Sequence, residues 1–176
     1  LPYRAFLANQ LGDAGLQLRW IAPTEFYLEA GAEILRGDNF PAGGAANKGA
    51  GTYAGFVQTG GDIGASSSWL AKVSYLRAKS DNRDVNGDIF TGRDTLGIVS
   101  LGYKWAPNGN PTVNNLIVNG EYFFGNERGD FNLVPVDIDR SGFYAQAVYQ
   151  FRKGWRGGLR YARLMSDPAP AGAHRE

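Results

Sequence analysis

The 176 residues carry 18 basic and 17 acidic side chains, a balance of +1 with no basic run, so the charge gives no reason to expect nucleic acid. Cysteine is absent, which excludes disulfides and thiol chemistry, while 25 glycines and 13% aromatic residues suit strands and turns better than helices. No stretch approaches the ~18 consecutive apolar residues of a membrane helix, which excludes a helical membrane protein but leaves open a barrel, whose strands hide an apolar face in every second position.

Residues 1–13 are expected to be a loop or strand remnant, 14–165 eight antiparallel strands of one segment, and 166–176 a polar tail. The start, Leu1-Pro2-Tyr3-Arg4, lacks a charged region followed by an apolar run. Either a removed signal peptide or a portion of a longer protein is expected. From Gly15 to Ala22, Leu16, Leu18, Trp20 and Ala22 share one parity against Gln17 and Arg19. After a turn at Pro23-Thr24, Phe26, Leu28, Ala30, Ala32 and Ile34 alternate with Tyr27, Glu29, Gly31 and Glu33. A period of two cannot be a helix, so these segments form a hairpin. The segment Thr52 to Gly61 alternates least clearly, with Tyr53 and Val57 opposing Phe56 and Gln58.

Five clearer strands follow. They are marked by Trp69-Ala71-Val73-Tyr75, Gly97-Val99-Leu101-Tyr103-Trp105, Leu116-Val118-Gly120-Tyr122-Phe124, Phe143-Ala145-Ala147-Tyr149-Phe151 and Trp155-Gly157-Leu159-Tyr161. Most strands are predicted at about 9–12 residues, enough to cross a bilayer at a tilt. Short turns are predicted at 23–24, 62–67, 106–112 and 153–154, and long polar loops near 37–50, 79–92 and 127–140. Bacterial barrels show this asymmetry, with short turns on the periplasmic side.

The four tryptophans, Trp20, Trp69, Trp105 and Trp155, all lie beside the short turns. Tyr75, Tyr122 and Tyr161 fall toward the other strand ends. Tryptophan and tyrosine favour the membrane–water interface, so these seven residues are expected to mark two girdles. A soluble sandwich or lipocalin-like barrel would alternate equally well but turn its apolar face inward, and it has no reason to sort tryptophan to one rim.

The opposite face is polar and of mixed charge. Arg19, Glu29, Glu33, Lys72, Lys104, Glu121, Arg152, Arg156 and Arg160 are expected to line a lumen, where they would bias which solutes pass. Arg152, Arg156 and Arg160 could form a local anion-favouring strip. Arg77 and Arg163 fall on the apolar parity near the long loops, placed either to meet lipopolysaccharide phosphates or beyond the ends of their strands.

Asn82 to Asp88 echoes the start of a calcium loop, but Arg93 stands where the bidentate glutamate belongs, so a solvated Asn-Gly turn and no metal are expected. Gly43 to Gly51 lacks the Gly-Lys-Ser/Thr ending of a phosphate loop and reads as a flexible surface loop that could fold toward the pore. The single histidine, His174, lies in the tail, so no strand carries a histidine base for a serine nucleophile. No enzyme and no cofactor are expected.

The phrases Arg4-Ala5-Phe6-Leu7-Ala8-Asn9-Gln10-Leu11, Gly15 to Thr24, Phe40-Pro41-Ala42-Gly43-Gly44, Lys104-Trp105-Ala106-Pro107-Asn108-Gly109 and Gln146-Ala147-Val148-Tyr149-Gln150-Phe151 resemble those of Gram-negative outer-membrane porin-type or TonB-dependent-receptor-like β-barrel proteins. The resemblance implies an all-β antiparallel transmembrane barrel in the outer membrane, larger than eight strands, of which this chain is a portion. It implies passage of small hydrophilic solutes or ions through a polar lumen, in contact with outer-membrane lipid and lipopolysaccharide. Two alternatives stand beside it. One is the barrel of a TonB-dependent receptor, which requires an upstream plug. The other is a small closed structural or adhesive barrel.

Overall fold

The alternation is realised as eight strands in a single antiparallel sheet whose spatial order equals the chain order. A computed structural model describes residues 2–7, 11–43 and 49–166. The strands are β1 (Gly15–Ile21), β2 (Tyr27–Leu35), β3 (Thr52–Ile63), β4 (Ser67–Val85), β5 (Asp88–Trp105), β6 (Asn115–Phe131), β7 (Val134–Arg152) and β8 (Trp155–Ser166). Each strand pairs with the next in sequence. β1 and β8 do not pair with each other, so the sheet is open and does not form a closed eight-stranded barrel.

Three expectations require correction. The segments 79–92 and 127–140 are not long loops. β4 to β7 run for 17 to 19 residues and are joined there by two-residue turns, Asn86-Gly87 and Asn132-Leu133. All four turn residues have positive φ, the geometry that matches the twist of a tight hairpin. The ladder continues where outward residues such as Arg77, Lys79, Arg93 and Arg128 have become polar, so the period-two hydrophobic signal fades while the hydrogen bonding does not. The first hairpin connection is also longer than the two residues Pro23-Thr24, since β2 begins only at Tyr27. Part of the segment expected as a loop or strand remnant is, finally, helical. Pro2–Leu7 forms a short helix, α1, opened by a proline at the position where a missing N–H costs nothing. The polar tail from residue 167 onward lies outside the described residues.

The two faces have opposite character. Leu16, Leu18, Val57, Val73, Leu101 and Leu159 share one face and are exposed, Leu16 at 82% and Leu159 at 85%. Trp20, Trp155 and Tyr161 on the same face are also more than half exposed. The buried cluster lies on the other face, toward the long hairpins. Phe6 and Leu7 of α1 and Ala42 of the β2–β3 connection pack there on Leu76, Ala78, Leu96 and Phe123.

Candidate functional site

Directly opposed residues of an antiparallel sheet point to the same side, so the register shows which charges meet. Glu29, Gln58, Lys72, Ser100, Glu121 and Tyr144 are successive cross-strand neighbours in one polar row from β2 to β7. Glu29, only 2% exposed, accepts hydrogen bonds from Arg19 Nε at 2.6 Å and Gln58 Nε2 at 2.6 Å, and a shorter one from the Tyr27 hydroxyl. Ser100 Oγ donates to Glu121 at 3.1 Å, and Gln17 donates to Glu33. Lys72 Nζ sits 4.4 Å from the Phe56 ring centroid and the Arg160 guanidinium 4.5 Å from that of Tyr144.

Toward the short turns, residues from β3 to β8 surround one cavity of about 790 Å³, among them Asp62, Ser68, Lys104, Ile117 and Arg156. Arg156 Nε donates to Gln150 Oε1 at 2.8 Å. Among the described residues, Lys72, Lys104, Arg156 and Arg160 have no carboxylate within ion-pairing distance, whereas Arg19 is paired with Glu29. The polar face therefore carries a cationic surplus.

Of the nine charged residues expected together, eight share this face. Arg152 is the exception. The register slips between Gln150 and Arg152, and Arg152 then stands opposite Trp155, a residue of the apolar parity. The slip removes it from the strip with Arg156 and Arg160.

At the other end lies a buried charge cluster that sequence reasoning missed. Arg83 Nη1 is 2.9 Å from Asp94 and Nη2 is 2.9 Å from Glu127. Arg140 bonds Glu127 and lies 3.7 Å from Asp94. Phe40 and Phe90 flank the Arg83 guanidinium at 5.1 and 4.8 Å. Burial, followed by the charge of Glu127, pushes the Asp94 carboxyl up to about 6, against the opposing pull of Arg83 and Arg140.

The cluster was hidden by a bulge. Ser80 pairs with Gly92 and Arg83 with Phe90, so Asp81 and Asn82 together face a single residue, with Asn82 at φ 59°. The extra residue turns Arg83 from the outward to the inward parity. Its place in the supposed calcium loop is occupied by hairpin contacts: Asp84 accepts the Gly87 N–H at 3.0 Å, and the Asn82 N–H donates to Thr91 at 3.2 Å.

A roof covers this end. Ser80 Oγ and Arg83 both donate to the Pro41 carbonyl, and the Asp81 N–H donates to that of Gly43. The described part of the 37–51 connection thus folds inward, and residues 44–48 lie outside the described set. Phe6 stacks on Phe123 at 5.6 Å and 12°. A Cβ at Gly125 or Gly142 would come within 3.3 or 3.5 Å of the Phe6 ring, so these glycines form the floor on which α1 rests.

On the apolar face, Trp20, Trp69 and Trp155 are exposed near the short turns and Trp105 is half-buried there. Tyr75, Tyr122 and Tyr161 are exposed toward the far ends. Arg77 and Arg163 are still within strands, opposite Tyr53 and Phe143.

The chain is 28% identical over 181 residues to an uncharacterized protein of Aquifex aeolicus strain VF5, an alignment covering 92% of this chain. It spans only 38% of that relative's length. No family model matches the chain, and neither does any solved structure.

Proposed function

We propose that these eight strands are an arc of a porin-type barrel in the outer membrane of a Gram-negative cell, passing small hydrophilic solutes or ions along its polar face. The observation that carries this reading is the inversion of the sheet: between the aromatic rows its apolar side is exposed, while the charges of that stretch and the packed helix lie on the other side. From Trp105 to Gly97, over which Phe124 lies, β5 advances about 27 Å, or about 20 Å along the normal at a tilt near 40°. With the reach of the rings this approaches the ~25 Å apolar band of such barrels. The open edges β1 and β8 take further strands to complete the wall.

Passage is passive and involves no catalytic step or cofactor. The eight polar-face charges act as lining residues, and the cations Lys72, Lys104, Arg156 and Arg160, which have no carboxylate partner among the described residues, favour anions. The roof at the far end gives a specific reason for a second reading, uptake through a TonB-dependent receptor, in which an occluded lumen opens only when energised.

The test is planar-bilayer conductance of the detergent-folded protein carrying its completing strands, with heat-modifiable gel mobility as the folding control. Open, anion-preferring channels without an energy source support the porin reading. A folded but silent protein shifts the assignment to the energised receptor, and full solubility without detergent rejects the membrane reading.

A further inference from the structure

Passive passage needs only a wide polar lumen, yet the cavity at the short-turn end has a fixed wall and a mixed lining. The β5–β6 connection closes one side of it, and two buried amides hold that connection in place. Gln150, 4% exposed, donates to the carbonyls of Thr112 and Val113 at 2.9 and 3.0 Å, and Asn115, 7% exposed, donates to that of Pro111 at 2.8 Å. The same connection is fastened to the β3–β4 turn: the Ala106 N–H donates to the Ser66 carbonyl at 2.8 Å and the Asn108 N–H to Ser66 Oγ at 3.0 Å. A wall held from two directions does not have to be ordered when a solute arrives, so binding there avoids that entropic cost.

The lining has two parts. Trp105, Pro111, Leu116 and Ile117 supply apolar surface, while Lys104, Lys153 and Arg156 supply three cations against the single carboxylate of Asp62. Among the described residues none of these cations has a carboxylate within ion-pairing distance. Gln150 also orients Arg156, accepting from its Nε at 2.8 Å, so that the Nη donors of the guanidinium remain for a solute. Small-molecule sites of about 300–1,000 Å³ are mostly apolar with a few placed polar groups, and this cavity, at about 790 Å³, has that size and that mixture. An inorganic ion would leave the apolar part wet, and a neutral ring would leave the cations unmatched.

We propose that this cavity is a saturable binding site for an organic monoanion with an apolar ring, its carboxylate held by Arg156 and Lys104 and its ring against Trp105 and Ile117. A guanidinium matches the two oxygens of a carboxylate, and burying the ring removes apolar surface from water. The inference rests on the porin reading for the solute's route and narrows it, because passage of such a solute levels off as the site fills.

The test is calorimetric titration of the detergent-folded protein carrying its completing strands, with empty micelles as the blank. The ligands are 2-naphthoate, its neutral counterpart 2-naphthylmethanol, and acetate. Naphthoate should bind at least about tenfold more tightly than either, since a charge-assisted hydrogen bond and burial of an aromatic ring each contribute about that much or more. Equal affinity for the acid and the alcohol overturns the proposal, and this comparison depends on no variant. Lys104→Gln/Arg156→Gln should lower the naphthoate affinity to about that of the alcohol. Lys72→Gln/Arg160→Gln removes two cations of the same face that do not line the cavity, and an equal loss there overturns the proposal. In planar bilayers the naphthoate current of the parent should saturate with concentration. Open channels with a strictly linear naphthoate current overturn the binding site and leave the porin reading intact. Naphthoate bound by a protein that forms no channel supports the site and removes the porin reading instead.

Discussion

Arg83 holds two carboxylates in a site where none of the three charges could remain alone. Removing one partner of a buried ionic group leaves an uncompensated charge, at a cost of about 3–5 kcal/mol. Arg83→Met should lower the free energy of unfolding in urea by that amount, because Asp94 and Glu127 would then share only Arg140. Asp94 adds a pH signature. Above about pH 6 it is ionised both folded and unfolded, and its burial costs stability in full. Between about pH 6 and the ordinary carboxylate range near 3.8, the folded protein holds a proton that the unfolded chain has released. Acidification through that window therefore stabilises the fold at this site. The parent midpoint should rise relative to that of Asp94→Asn as pH falls from 7 to 4, and a constant difference would refute the assignment.

The long hairpins depend on turns of unequal quality. Asn86-Gly87 has the favoured chemistry for two successive positive φ values, whereas Leu133 carries φ 68° with a side chain that is 93% exposed. Leu133→Gly removes strain without removing packing, so the β6–β7 hairpin should gain about 1 kcal/mol, read as slower amide exchange near the turn. The same hairpins mark where the sequence stopped being legible. Strand identity and the sorting of apolar and polar residues to opposite faces could be read wherever an apolar parity alternated with a polar one, as in β1, β5 and β8. Beyond Tyr75 and Phe124 both faces become polar, so 79–92 and 127–140 read as loops although their backbone pairing is continuous. Two register slips, at Asn82 and before Arg152, then exchanged the faces of Arg83 and Arg152, which alternation alone does not register. One clue to the buried cluster was present: Leu76, Leu96 and Phe123 are apolar at the polar parity, the mark of something packing on them.

Across the molecule, the polar face is filled at the hairpin end and open at the turn end. Phe6 holds α1 against the Gly125 and Gly142 floor, and losing its burial costs about 2–3 kcal/mol of local docking. In the proposed pore, Phe6→Ala should raise single-channel conductance while the sheet keeps its heat-modifiable mobility. Unchanged conductance would place the narrowest point elsewhere. The meander has a further geometric consequence. Because its strand number is even, β1 starts and β8 finishes at the same end of the sheet, the end carrying the long hairpins. A block bounded in this way is polarity-neutral: spliced into a larger wall, it leaves the direction of every flanking strand unchanged. In the proposed barrel, circumference can thus grow or shrink by whole hairpins while each neighbour keeps the side its residues face.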